Sequence, residues 1–247
     1  MSSLGQTLTS LLPDAVVDEL RLLRQRIHRQ RYRGLTTAEV FTKIYAEGAW
    51  GRSPDASQRF FSGSGSDDDA IVGSYVDAMR AYLSGFERKP DVVDLGCGDF
   101  RVGARLRPLC GRYVACDIVP PLIAFNRERF ASMDVDFRVL DLTRDELPDG
   151  DIVCIRQVLQ HLSNAQIANA LPRLARRYRH LVLTEHLPAA DDFVPNIDKP
   201  DGPDIRLYVG SGVVLTQPPF DLPVREERTL CLVAEAGGWI RTTLYTL

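Results

Sequence analysis

The sequence predicts an α/β fold built on a doubly wound, largely parallel sheet and extended at its N-terminus by helices. Three observations lead there. From Pro90 to Leu187, short apolar runs alternate with segments of helical spacing. The first of these runs ends at a glycine pair, Gly96 and Gly98, and leads directly into a helix. After Leu187 the alternation stops, and the chain closes on two apolar runs around Gly237-Gly238, the pattern of an antiparallel hairpin.

Taken in order, Val16, Val17, Leu20, Leu23 and Ile27 recur at helical spacing, predicting an amphipathic helix over 14–33 that stops near Gly34. Thr36 and Glu39 form a capping box for a second helix through Tyr45. A loop rich in Gly, Ser and Asp spans 48–66, and Ser66 with Asp67, Asp68 and Asp69 opens a third helix lined by Ile71, Tyr75, Met79 and Tyr82. Strands follow at 91–96, 113–119, 135–142, 151–158 and 180–187. Helices fill 101–111 and 121–133, with Pro121 in the first turn of the latter. A Ser163/Gln166 capping box starts another helix that runs to Tyr178 and should kink at Pro172. Parallel strands joined this way imply right-handed crossovers. A Pro- and Gly-rich stretch at 188–223 then precedes strands at 229–235 and 239–247. No internal repeat is present, and the division read is 1–89 as a helical extension and 90–247 as the core.

The formal net charge of −3 argues against a partner that needs a broadly basic surface, such as nucleic acid. Charge is unevenly spread, however. Residues 1–35 hold six arginines against Asp14, Asp18 and Glu19, giving +3 and leaving −3 − 3 = −6 for the remainder. Such a basic helix can present a solvated face or meet phosphate or a membrane surface. Cys97, Cys110, Cys116, Cys154 and Cys231 show neither a C-x-x-C pair nor metal-finger spacing, which suits reduced thiols in a cytoplasmic protein. No run approaches the roughly 18 apolar residues of a membrane span, so none is expected.

The sharpest local signal is DVVDLGCGDF at 91–100. Glycines after an apolar strand let the backbone approach a ligand closely, and the following helix offers free amide donors. A dinucleotide fingerprint would need glycine at 101, where Arg101 stands. Asp94 would also set a carboxylate beside a pyrophosphate, whereas a cationic ligand welcomes it. Over residues 90–247 the chain resembles the class I S-adenosylmethionine-dependent methyltransferases. That resemblance implies a seven-stranded sheet of order 3-2-1-4-5-7-6 with strand 7 antiparallel. It also implies that Asp94, Gly96, Cys97 and Gly98 approach the cofactor, that Asp117 beside Ile118 takes the ribose hydroxyls, and that Asp141 with Leu142 faces the adenine. Arg156 and Gln157 would line the methionine moiety. Upstream, Tyr45, Trp50-Gly51 and SGSGS (62–66, with Gly65) resemble the cofactor-covering segment of small bacterial methyltransferases, against the alternative of a plain linker. Many family members carry a third glycine where Asp99 and Phe100 stand here.

For the acceptor, an alcohol is protonated at neutral pH and needs a base or a metal. His161 follows the fourth strand, and Glu185 and His186 end the fifth, so the three are expected to converge as catalytic residues. The segment 188–223 exceeds an ordinary turn and reads as a substrate lid, with Asp198 and Arg206 as substrate contacts. Mg²⁺ near Glu185 is carried as an option. TQPPFDLP (216–223) looks like an amine-methylation motif but lies far downstream of the fourth strand. The set Trp50-Gly51, SGSGS, DLGCGDF, RQVLQHL and TEH resembles small bacterial methyltransferases of polysaccharide modification, implying a saccharide or other small-molecule acceptor. Transfer to a phenol or carboxylate, an RNA-directed enzyme and a non-catalytic cofactor sensor are the alternatives; a homodimer is an open option.

Overall fold

The computed structural model describes Val16, Leu23, Ile27, residues 30–53, Asp55, residues 57–235 and residues 237–247. The helix expected over 14–33 therefore falls mostly outside the described residues. Helix α1 (Thr37–Glu47) starts where the capping box places it: the Thr36 hydroxyl accepts from the Glu39 amide, the Glu39 carboxylate takes the Thr36 amide, and Gly48 ends the helix at φ 64°. Helix α2 (Asp69–Leu83) is capped by Asp68, whose carboxylate accepts from the Ala70 and Ile71 amides. Ser66, expected at that helix start, belongs instead to a short 3₁₀ turn, Ser64–Ser66.

The core strands are β1 (Val92–Leu95), β2 (Tyr113–Asp117), β3 (Asp136–Val139), β4 (Ile152–Arg156) and β5 (His180–Pro188), with a closing hairpin of β6 (Glu226–Glu235) and β7 (Gly238–Thr246). They form one sheet of order β3-β2-β1-β4-β5-β7-β6. The pairs β3–β2, β2–β1, β1–β4 and β4–β5 are parallel, while β7 runs antiparallel to both neighbours. The crossovers are α3 (Arg101–Leu106), α4 (Pro120–Arg129) and α5 (Asn164–Arg177).

Several elements are shorter than their apolar patterns suggest, for local reasons. Helix α3 yields to a 3₁₀ turn at Arg107–Leu109 because Pro108 has no amide to donate. Helix α4 ends at Arg129 and passes into Ala131–Met133, with Asp134 left-handed at φ 52°. The third strand stops at Val139, so Asp141 and Leu142 lie in the loop beyond it. Helix α5 is a single continuous helix through Pro172.

Strand pleat sorts the interior into two layers. Val93, Leu95, Val153, Ile155, Leu181 and Leu183 pack with α5 and with Val40, Phe41 and Ile44 of α1. On the other face, Val92, Tyr113, Ile152, Cys154 and Val182 pack with Val72, Tyr75, Val76 and Met79 of α2. Helices α1 and α2 thus lie on opposite faces of the sheet, and a cleft opens at the carboxyl ends of its strands.

Candidate active site

The loop after β1 is shaped by its glycines. Gly96 sits at φ 82°, its amide and that of Cys97 both donate to the Cys116 carbonyl, and a Cβ added there would run into Val158. Gly98 at φ 55° donates its amide to Asp117 Oδ2 at 3.1 Å. Phe100 takes the position where a further glycine is common, and it does so in the left-handed region at φ 61°. Its ring is fully buried against Tyr113, Phe130 and Phe137, at centroid distances of 5.5, 5.1 and 4.8 Å. Aromatic burial offsets the backbone strain.

Three carboxylates stand along the cleft wall. Asp94 accepts from the Tyr113 hydroxyl at 3.0 Å, and burial pushes its carboxyl up to about 7 against that hydrogen bond. Burial likewise raises Asp117 to about 6, although the Gly98, Val119 and Ile118 amides support its charge. Asp141 accepts from the Thr143 amide and hydroxyl and pairs with Arg144 at 2.9 Å. A cation bound between Asp94 and Asp117 would favour their ionised forms. S-adenosylmethionine affinity is therefore expected to fall by about tenfold or more as pH drops from 8 to 5.5, with proton release on binding. Titration calorimetry in buffers of different ionisation enthalpy reads both, and a flat affinity across that range would rule out the assignment.

On the other side of β1, Arg156 ends β4 with its guanidinium 5.1 Å from the Tyr75 ring centroid. It donates to Ser66 Oγ at 3.1 Å and to the Gly65 carbonyl, tying the Ser-Gly segment across the cleft. Gln157 is left-handed at φ 55°, and its buried Nε2 has no protein partner. A side chain at Gly65 would collide with that amide. The Ser-Gly segment is also held from the glycine loop: Asp99 accepts from Gln58 Nε2 and the Ser62 amide, and its own amide donates to Ser62 Oγ at 2.9 Å. Tyr45 Oη lies 3.0 Å from that same hydroxyl.

One cleft runs along the carboxyl ends of β1, β2 and β4, from the loop after β3 to the segment that covers them. Tyr45, Trp50, Asp94, Gly96, Cys97, Gly98, Asp117, Ile118, Asp141, Leu142, Arg156, Gln157 and His161 all line it. Gly65 does not, although a Cβ there would meet the Gln157 side chain that does. Ser62 of the SGSGS segment lines it as expected, and Phe41, Tyr75, Asp99 and Tyr113 line it as well, none of these four being foreseen as a site residue. Tyr75 reads in the sequence as one of the apolar line of its helix, and Asp99 gains its role only through the bonds it makes to the Ser62 segment. These features suit S-adenosylmethionine: acids for a cation and ribose hydroxyls, a backbone cradle of glycines, and an unpartnered buried amide at Gln157.

The expected convergence of three bases does not occur. His161 alone of the three lines the cleft, with its ring 5.0 Å from Trp50 and 6.5 Å edge-on to Phe41. Burial and the nearby Lys199 push it down to about 3, and its buried Nδ1 has no protein partner. Glu185 instead caps the turn after β4, accepting from the Leu159 and Gln160 amides at 3.0 and 2.9 Å. Burial holds its carboxyl up at about 8 even with Arg206 nearby. His186 is buried by the outer strands, pushed down to about 4, and its ring bonds the Glu235 backbone. The two residues are next to each other on β5, where side chains alternate between faces, so they cannot address one point. Asp198 and Arg206 are also absent from the cleft. Asp198 accepts from the Asn164 amide at the start of α5, and the buried Arg206 donates to the Ile197 and Leu162 carbonyls. Both hold the 188–223 loop to the core. Among the described residues no group of three or more His, Cys, Asp or Glu side chains gathers as a metal site.

Glu185→Gln is expected to cost about 1–3 kcal/mol of stability by setting an amide donor against two backbone donors. Denaturant midpoints should shift while turnover per folded molecule is retained; a collapse of turnover in a fully stable variant would return Glu185 to catalysis.

Residues 92–180 match a family model, Methyltransf_25, described as a methyltransferase domain. No curated protein matches the chain. Among solved structures, the fold is similar to that of the N-methyltransferase NodS from Bradyrhizobium japonicum WM9 in complex with S-adenosyl-L-homocysteine. That match has 16% identity and a TM-score of 0.55, over 73% of this chain and 88% of that one. It is also similar to magnesium protoporphyrin IX methyltransferase (ChlM) from Synechocystis PCC 6803 with bound SAM, at 18% identity and a TM-score of 0.52, over 90% of this chain and 96% of the other. At these identities the likeness is one of fold. No helix among the described residues is long and apolar enough to cross a membrane.

Proposed function

We propose that this chain is an S-adenosylmethionine-dependent methyltransferase, a reading supported by the match of residues 92–180 to a methyltransferase domain, and that it methylates a hydroxyl of a sugar or polysaccharide precursor. His161 accepts the proton. The observation that carries this reading is the His161 ring itself: on the cleft wall, neutral through burial, with Nδ1 unpartnered. When bound, S-adenosylmethionine supplies the methyl group and a neutral sulfide leaving group.

Asp94 and Asp117 hold the cationic and ribose parts, Asp141 and Leu142 the base, and Gln157 the amino-acid end. Arg156, Asp99 and Ser62 keep the Ser-Gly segment over them and exclude water. As an acceptor oxygen takes a methyl group, its proton becomes strongly acidic. A base as weak as His161 can then receive it, because only a late transfer is required. Trp50 and Phe41 supply flat faces on which the apolar side of a sugar ring stacks. Residues 1–89 serve as the covering extension and 90–247 as the catalytic core. The 188–223 segment closes the acceptor end as a lid, with Trp50 Nε1 donating to the Pro203 carbonyl and the Gly202 amide to that of His161.

The same aromatic wall favours a phenol as the second reading. A transfer assay with S-adenosylmethionine against mono- and oligosaccharides, phenols and carboxylates, with and without Mg²⁺, tests both. Methylation of a sugar hydroxyl supports the first reading. Turnover of phenols alone establishes the second, and binding with no acceptor turned over would defeat both.

A further inference from the structure

One buried cation of the lid takes no part in the site as built. Lys199, in the 188–223 segment, is 7% exposed, and its Nζ is buried without a hydrogen-bond partner. A buried ammonium with no acceptor is costly, so something must complete it: water, an ion or a ligand. The acids around it are engaged elsewhere. Asp198 accepts from the Asn164 amide and from the Lys199 amide, and Asp201 from Gln166 Nε2. Asp198, Asp201 and Asp204 act on the ammonium through space, and none of them takes a hydrogen bond from it. A second cation adds to the charge. Arg206 is fully buried, gives its Nη atoms to the Ile197 and Leu162 carbonyls, and leaves its Nε unpartnered. Burial and Arg206 push Lys199 down to about 8, which still leaves it an ammonium at neutral pH.

Location gives this charge its meaning. His161 and Leu162 line the cleft. The Gly202 amide donates to the His161 carbonyl, Arg206 to that of Leu162, and the Lys199 charge reaches the His161 ring. Lys199 thus stands one layer behind the His161 wall, on the segment that closes the acceptor end. Water there would satisfy the N–H donors but leave the charge uncompensated, whereas an oxyanion does both. Resting on the reading of His161 as the base for a sugar hydroxyl, we propose that Lys199 pairs with an oxyanion carried by the acceptor, a carboxylate or a phosphate, so that the sugar methylated here is an acidic one. Pairing also relieves the repulsion that the ammonium exerts on a proton arriving at His161, so a charged acceptor assists its own base.

The test compares glucose, glucuronate and glucose 6-phosphate in the transfer assay, with the parent chain and with Lys199→Met, which keeps the length and the apolar stem. The parent is expected to prefer a charged sugar over glucose by about 10- to 150-fold in kcat/KM, the weight of one charge-assisted hydrogen bond. Preference for glucuronate assigns a carboxylate, and preference for glucose 6-phosphate a phosphate. In Lys199→Met the preference should collapse to within about threefold, and Lys199→Arg should restore part of it. Thermal unfolding gives a readout independent of turnover. The preferred charged sugar should raise the midpoint of the parent and not that of Lys199→Met, and the free variant should be at least as stable as the parent, because an unpaired buried charge is gone. A parent without preference, a preference that Lys199→Met retains, or a free variant that unfolds earlier overturns the proposal. Transfer to phenols alone defeats the sugar reading instead, and the same comparison between phenol and hydroxybenzoate then decides the anchor.

Discussion

Asp117→Ala is expected to weaken S-adenosylmethionine binding by about 10- to 150-fold, the loss of one charge-assisted hydrogen bond at about 1.5–3 kcal/mol. The effect is large because Asp117 serves two structures at once. Its Oδ2 accepts the Gly98 amide and its Oδ1 the Val119 amide, so the carboxylate pins both sides of the cleft floor. Alanine removes the ligand contact and leaves two buried amides without an acceptor. Titration calorimetry measures the affinity and thermal unfolding the accompanying loss of stability. Asp117→Asn separates the contributions: its amide oxygen retains one backbone bond but carries no charge. An Asp117→Ala affinity within threefold of the parent would show that the ribose and cationic end bind elsewhere.

His161→Ala is expected to leave cofactor affinity within about twofold and to lower kcat by about 10²- to 10⁴-fold, the usual contribution of a positioned base. The ring packs against Trp50 and Phe41 at the acceptor end, on the β4 side of the cleft and across β1 from Asp117 and Asp141. Its removal should therefore spare the nucleoside half. Because burial pushes His161 down to about 3, the ring is neutral throughout pH 5–9. The pH profile of kcat should show no acid limb from this group in that range; any loss below pH 7 should follow Asp94 and Asp117 and appear in KM for the cofactor. His161→Gln retains an acceptor of similar reach and should recover part of the loss. If kcat for the alanine variant stays within threefold, His161 is a packing residue and the proton leaves through solvent.

The strand–helix alternation, the capping boxes at Thr36/Glu39 and Ser163/Gln166 and the glycine loop were legible in the sequence, while the strand order came from the family resemblance. The first three rest on chemistry within a few residues: alternation of apolar positions, a hydroxyl three residues before a carboxylate or amide, a glycine where the backbone turns back on itself. Asp94, Asp117 and Asp141 were singled out by the resemblance together with their places at successive strand ends, and the fold sets all three along the cleft. The methyltransferase reading followed from them.

Glu185 and Arg206 looked like chemistry in the sequence and are buried supports in the fold. A strand residue's face depends on its register with its neighbours, and a loop arginine's partners depend on where 36 residues of chain (188–223) come to rest. Asp99 shows the converse, since it gains its role only when the fold brings it to 2.9 Å from Ser62 across 37 positions. Local sequence determined the elements, their order and the strand-end acids, because propensity and capping act over one or two turns. Tertiary structure alone decided which of His161, Glu185 and His186 meets the cleft, and that the Ser-Gly segment is latched over it. Those outcomes depend on burial and long-range closure, which arise only once the sheet has assembled.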